Sequence, residues 1–388
     1  MKKILVAANQ CQCGGTEQAL FAFLNDIDYA KYQVSLLLTQ KTGPWVSRIP
    51  EKVQIKTLKF KNPIAYFLLA DYEFQGSEIS RKVKIRIRNW IQKWAQKKSI
   101  RSRYELLERL SHKDCDEYDV ALDFYGYGYF LTGYVANCIK ASKKAMWIHA
   151  ELMGWINDIR YCLDRYDKIY CVSTIVKNLF DKEYPAYQEK STVLLNLLDT
   201  ERILNLSAQE ITDERFFGKF KIVSVGRLVH EKGYDIAIEA ASLLKKAGVD
   251  FRWYILGTGY AKNQLNRLIH EKNLEENFFL LGFQNNPYSY TKACDLYVQT
   301  SRNEGYGLTI QEALLLKKVV VATDIEAFSE QIVDGENGCL VPVNAEAIAE
   351  AIQKLIEDRK KISDIEDNLM QTNSICGNYN ILYNFIGG

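Results

Sequence analysis

A chain of 388 residues with 47% hydrophobic and 25% charged content is long enough for two domains, each burying its own core. Its net charge of only +2 argues against a dedicated nucleic-acid binder, and no apolar run approaches the ~18 residues needed to cross a bilayer. Nine cysteines, an odd number without repeating spacing, point to reduced thiols in the cytoplasm rather than a disulfide framework.

The start, Met1 to Ala8, imitates a secretory leader, yet its apolar stretch stops at Asn9 and reads better as a first buried strand, Ile4 to Ala8. The loop that follows carries Gly14 and Gly15 before a helical run from Gln18. This glycine pair either turns its amides toward a substrate or phosphate or simply compacts the turn. Cys11 and Cys13 are close, but with four histidines in the chain a metal site lacks further ligands, and no metal is expected. After a strand at Val34 to Leu38, the stretch Arg81 to Arg103 holds ten lysines and arginines, among them Arg81, Lys84 and Arg88. Val83, Ile87, Trp90, Ile91 and Trp94 share one face of a helix there. Such a basic amphipathic helix either meets an anionic membrane surface and a lipid-linked acceptor, or packs its stripe on the first domain with its cations solvated.

Further strands are expected at Val120 to Phe124, Ala145 to His149, Lys168 to Val172 and Thr192 to Leu195. His149 stands at a strand end, where a structural and a functional role are equally open. Asp199 to Lys219 is polar and acidic, which places the boundary between a first domain, 1–200, and a second, 201–370. The second set of strands is Lys221 to Val225, Phe251 to Leu256, Phe278 to Leu281, Leu296 to Gln299 and Val319 to Ala322. Short apolar runs alternating with amphipathic segments predict two doubly wound parallel sheets. Residues 371–388 carry Tyr379, Ile381, Leu382, Tyr383, Phe385 and Ile386, more apolar surface than a frayed tail, and are expected to return to the first domain.

Ligands of doubly wound sheets bind beyond the carboxyl ends of strands, so the loops there hold the chemistry. After Val225 comes Gly226-Arg227-Leu228-Val229-His230-Glu231-Lys232-Gly233, and after Leu256 comes Gly257-Thr258-Gly259. Arg227 and Lys232 can neutralise a departing diphosphate without a metal, or they are solvated surface cations. After Gln299 the chain reads Ser301-Arg302-Asn303-Glu304-Gly305-Tyr306-Gly307-Leu308, with a helix from Leu308 to Leu316 that contains Glu312. Its glycines let backbone approach a ligand and its free amides favour a diphosphate; in the plainer reading both acids are solvated at a strand-loop-helix joint.

Together these residues resemble glycosyltransferase family four, nucleotide-sugar-dependent retaining enzymes with the GT-B fold: two Rossmann-like α/β domains facing across a cleft. The resemblance rests on the E-x7-E pair Glu304 and Glu312, the Gly226-Arg227 to Lys232-Gly233 loop, Gly257-x-Gly259 and the Gly335-x-Asn337-Gly338 turn. It implies that Arg227 and Lys232 bind the donor diphosphate, Glu312 the ribose and Glu304 the sugar near its reacting carbon. Gly14, Gly15, Gly226, Gly257, Gly259, Gly305, Tyr306, Gly307 and Leu308 would complete the donor site, with His149 a cleft histidine from the acceptor side. Tyr306 stands where family motifs often have phenylalanine. Transfer of a hexose or N-acetylhexosamine from a UDP-sugar to a glycan or lipid-linked acceptor is implied, in the cytoplasm or at the inner face of the plasma membrane, with no cofactor beyond the nucleotide sugar. GDP-mannose as donor and a non-catalytic sugar-nucleotide binder are the alternatives. A nicotinamide oxidoreductase fits worse, because Lys262 occupies the third glycine position after Gly257 and Gly259. The Asp-x-Asp of a metal-dependent GT-A transferase has two candidates, Asp26/Asp28 and Asp114/Asp116, both read as loop and turn acids.

Overall fold

Apolar runs too short for helices become parallel strands whose two faces are both covered. The computed structural model describes residues 1–11, 14–61, 83, 85–87, 89–91, 93, 103–126, 130–149, 153–218, 220–371 and 379–387. The chain forms two compact units, Met1–Leu197 with Asn378–Gly388, and Leu198–Gly377.

In the first unit, β1 (Lys2–Ala8), β2 (Tyr32–Leu38), β3 (Gln54–Thr57), β4 (Glu117–Asp123), β5 (Lys140–Ile148), β6 (Lys168–Cys171) and β7 (Ser191–Val193) form a sheet in the order β3-β2-β1-β4-β5-β6-β7. Every neighbouring pair is parallel, with Ile4 facing Val34 on one side and Val120 on the other. Ile4, Leu5, Val6 and Ala7 are wholly buried, as a strand covered on both faces requires.

Sequence periodicity missed β3 because Gln54-Ile55-Lys56-Thr57 is a polar edge strand. Lys56 there binds Asp114 at 2.9 Å and Asp116 at 2.5 Å and donates to the Tyr118 hydroxyl, which gives this Asp-x-Asp a structural partner. Asp28 of the other Asp-x-Asp accepts from the Ala30 amide at 2.9 Å, and Asp26 accepts from the Tyr383 hydroxyl at 2.5 Å.

The C-terminal helix Asn380–Gly387 belongs to this unit. Tyr379, Leu382 and Ile386 join the core beside Phe23 and Trp147, and the Lys2 ammonium reaches the Gly387 carbonyl at 2.5 Å, where a helix C-terminus favours a cation.

The second unit holds β8 (Lys221–Val225), β9 (Arg252–Leu256), β10 (Phe278–Gly282), β11 (Leu296–Gln299), β12 (Val320–Thr323) and β13 (Cys339–Val341), in the order β10-β9-β8-β11-β12-β13. All neighbours are again parallel. The three residues of β13 are too few for a periodicity to show. In each sheet the order reverses once, between β1 and β4 and between β8 and β11. Successive crossovers leave such a point in opposite directions, which opens a crevice at the carboxyl ends of its two strands.

Candidate functional site

The crevice between β8 and β11 is bordered by two loops that carry both glycine and charge. Behind β8, Gly226 to Leu228 runs against the loop after β9. A Cβ on Gly257, whose φ is 151°, would lie 1.9 Å from the Gly226 carbonyl oxygen, and one on Gly259 would lie 2.2 Å from that of Leu228. Glycine is needed at both because backbone meets backbone.

A 3-10 turn, His230–Lys232, then brings Gly233 back against the strand extension after β11. Gly233 is left-handed at φ 64° and a Cβ there would sit 1.9 Å from the Thr300 carbonyl oxygen. The Thr300 hydroxyl lies 3.1 and 3.0 Å from the carbonyl oxygens of Lys232 and Gly233. The two loops are therefore one structure.

Side chains complete the joint. The Lys232 ammonium is ion-paired with Glu304 Oε1, both side chains only 14% exposed, and the Ser301 hydroxyl donates to the same oxygen at 2.8 Å. Arg302 holds Asp235 bidentately at 2.8 and 2.7 Å and also donates to the His230 carbonyl at 2.8 Å. Arg227 is exposed and its side chain makes no hydrogen bond or ion pair among the described residues. Of the two cations expected on these loops, the structure thus ties Lys232 to Glu304 and leaves Arg227 reaching into solvent.

Glu304 and Glu312 do separate into loop and helix. Gly307, left-handed at φ 88° with Phe328 where a Cβ would go, caps the helix Leu308–Leu315 without a side-chain acceptor. Tyr306 and Leu308 are buried, and the Tyr306 carbonyl accepts from the Gln331 amide, which anchors the turn ahead of the helix. The Asn337 side chain accepts from the Val333 amide at 2.8 Å and donates to the Gln331 carbonyl at 3.0 Å, so the Gly335 to Gly338 turn supports Gln331 from behind. Glu312 is no solvated acid. It is 7% exposed, accepts from the Tyr288 hydroxyl at 3.1 Å, and burial pushes its carboxyl up to about 7 against the smaller opposing effect of that hydrogen bond.

In the first unit, the reversal point lies between the loops after β1 and β4. Gly14 caps the helix Gly15–Asp26 in extended conformation, and the helix carries Glu17 in its first turn, where the positive end of the dipole favours an acid. The Tyr125 hydroxyl, just past β4, donates to Glu17. His149 follows β5 directly, is 9% exposed, stacks 5.2 Å from Trp147 and lies tilted 5.3 Å from Phe124. Burial lowers its imidazole to about 3, outweighing hydrogen bonding with the Phe124 backbone and Asn196, so the ring is neutral at ordinary pH. Asp123, at the end of β4, is almost fully buried and pushed up to about 7 by desolvation.

Of the basic helix, Arg81, Lys84, Arg88 and Trp94 lie outside the described residues, as does Cys13. Val83, Ile87 and Trp90 are exposed, so these members of the apolar stripe are not packed away. No helix among the described residues is long and apolar enough to cross a membrane.

Sequence reasoning missed Ser301, Arg302, Asp235, Gln299 and Tyr288. Tyr297, Gln299 and Ser301 do alternate along one strand and its extension, a signal that could have marked Gln299 and Ser301.

Residues 209–371 match the family model described as glycosyl transferases group 1. A Campylobacter jejuni N-acetylgalactosamine-N,N'-diacetylbacillosaminyl-diphospho-undecaprenol 4-alpha-N-acetylgalactosaminyltransferase is 36% identical over 174 residues, 44% of this chain and 46% of that protein. A Staphylococcus aureus poly(ribitol-phosphate) alpha-N-acetylglucosaminyltransferase is 35% identical over 170 residues, 42% of this chain and 34% of that one. The chain thus spans less than half the length of these curated relatives. The solved structure of Anabaena HepE with UDP and glucose superposes with a TM-score of 0.70 at 19% identity, covering 100% of this chain and 98% of that one. TarM gives 0.69 at 16% identity, with coverage of 100% and 98%. The fold is that of GT-B proteins, two Rossmann-like α/β units.

Proposed function

We propose that this chain is a retaining glycosyltransferase of family four that moves a hexose or N-acetylhexosamine from a UDP-sugar to a glycan or lipid-linked acceptor in cell-surface polysaccharide or glycolipid synthesis. The observation that carries the reading is the Lys232–Glu304 pair on fused glycine loops at the β8/β11 reversal point, inside the segment that matches the family model. Structural neighbours solved with UDP and relatives named as N-acetylhexosaminyl transferases favour a UDP-sugar.

In this reading the leaving diphosphate gains negative charge as the sugar becomes oxocarbenium-like. Lys232, Arg227 and the free amides that follow Gly307 stabilise the former, and Glu304 the latter. That supply of positive charge needs no metal. Glu312 holds the ribose hydroxyls. Attack from the face the diphosphate leaves lets a departing phosphate oxygen take the acceptor proton as the new glycosidic bond forms. His149, neutral at working pH, serves the acceptor side as a hydrogen-bonding group rather than a charge.

The exposed apolar residues among the many cations of Arg81 to Arg103 suit an anionic membrane surface at the cytoplasmic face, where a lipid-linked acceptor would be met. Salt-insensitive failure to sediment with anionic liposomes would remove that part of the proposal.

The central test is a panel of UDP- and GDP-sugars assayed for nucleotide release and for protection against thermal unfolding. A UDP-sugar should give both. Preference for GDP-mannose would reassign the donor, and binding without turnover across the panel would leave a non-catalytic sugar-nucleotide binder.

A further inference from the structure

Beneath Glu304 runs a line of buried polar side chains with a single sense of donation. The Val225 amide donates to the Tyr297 hydroxyl at 3.4 Å, and Tyr297 donates to Gln299 Oε1 at 3.1 Å. The Gln299 amide nitrogen donates to Ser301 Oγ at 2.8 Å, and Ser301 donates to Glu304 Oε1 at 2.8 Å. Tyr297, Gln299 and Ser301 are completely buried and occupy alternate positions of β11 and its extension, so they lie on one face. The sense of the chain is fixed by its ends. The Val225 amide can only donate at the far end, and the Glu304 carboxylate accepts at the near one. Turning the Gln299 amide over would set its carbonyl against Ser301 and draw the serine proton away from Glu304.

We infer that Gln299 and Ser301 are positioning residues that, with Lys232, saturate Oε1 of Glu304 and so fix which carboxylate oxygen works. Oε2, which accepts no hydrogen bond among the described residues, is then the oxygen presented to the sugar. A carboxylate held through one oxygen by two donors cannot swing, and a buried chain of donors polarised in one direction strengthens its last bond. The Ser301 backbone is held as well, since its carbonyl accepts from the Thr323 hydroxyl at 2.6 Å.

This inference rests on the transferase reading, and its test separates the two. With the donor sugar found by the panel, kcat and KM are measured for Ser301→Ala, Ser301→Thr, Gln299→Glu, Glu304→Gln and the double variant Ser301→Ala/Glu304→Gln. Loss of one hydrogen bond to a charged group should lower kcat of Ser301→Ala by about 10- to 100-fold with donor KM nearly unchanged. Gln299→Glu, which offers Ser301 an acceptor in place of a donor, should do the same.

Ser301→Thr keeps the hydroxyl and should recover most of the rate. A packing role would give the reverse order, because alanine fits a site where serine is buried and threonine crowds it. In the Glu304→Gln background, Ser301→Ala should cost much less than it does alone, since both act through one carboxylate. Ser301→Ala at wild-type kcat, or an equal loss in both backgrounds, overturns the positioning role while leaving the transferase reading intact. A wild-type chain that turns over no nucleotide sugar overturns both.

Discussion

At the scale of the residue, the two glutamates of the loop-helix joint have opposite surroundings. Glu304 is held by the Lys232 ammonium and the Ser301 hydroxyl on one oxygen; Glu312 is desolvated with Tyr288 as its hydrogen-bond donor. Glu304→Ala and Lys232→Ala should each lower transfer at least ~100-fold, the usual size of a lost electrostatic contact in the transition state. Wild-type turnover in both would dismiss the assignment.

Glu312 makes a prediction about stability. Its carboxyl is raised from 4.5 to about 7 in the folded chain. Between those values the folded state binds more protons than the unfolded one, so its contribution is full below about pH 4.5 and is lost as pH rises through 7. Glu312→Gln should therefore match wild type in urea unfolding at pH 4.5 and exceed it at pH 8 by on the order of 3 kcal/mol. A constant difference across that range would mean Glu312 titrates normally. A buried acid that costs stability at neutral pH is what a binding role would retain. Neither environment was legible in the sequence, because Tyr288 approaches from a separate helix, Pro287–Ala293, and Ser301 is one polar residue among several.

Elements were read better than their partners. Strand, glycine and helix follow one another locally, so the loops after β8, β9 and β11 could be placed from the sequence. What those glycines are for could not, because Gly233 needs its missing side chain on account of Thr300, 67 residues on, and Gly257 on account of Gly226. Gly233→Ala and Gly257→Ala should each lose roughly 1–3 kcal/mol or more, since a left-handed or mirror-β backbone is combined with a contact no Cβ tolerates. Equilibrium denaturation measures it, and a neutral result would show that the loops can part. Arg302→Lys retains the charge but not the fork that grips Asp235, and should raise donor KM more than Arg302 exposure alone would suggest. An unchanged KM would mean the clamp is dispensable. The strands β3 and β13 escaped notice for a different reason, one being polar at an edge and the other three residues long.

At the scale of the whole molecule, the last helix closes the first unit. Leu382 is fully buried in the core that includes Phe23 and Val6, far from it in sequence. Leu382→Ala should destabilise that unit by about 2–5 kcal/mol while amide exchange within 198–371 stays at its wild-type level. Equal loss of protection in both units would overturn that expectation.

Alternation of short strands with helices, the presence of two such sets and the loops that carry glycine and charge are all legible along the chain, because each is a local property of spacing and residue type. The order of strands in each sheet is not, and it emerges only from the folded chain. That order puts β8 beside β11, so Lys232 meets Glu304, 72 residues on, their two loops become one joint, and the buried line from Tyr297 to Ser301 ends on the carboxylate. Pairing between distant strands depends on long-range burial and register, which no local pattern of residues records.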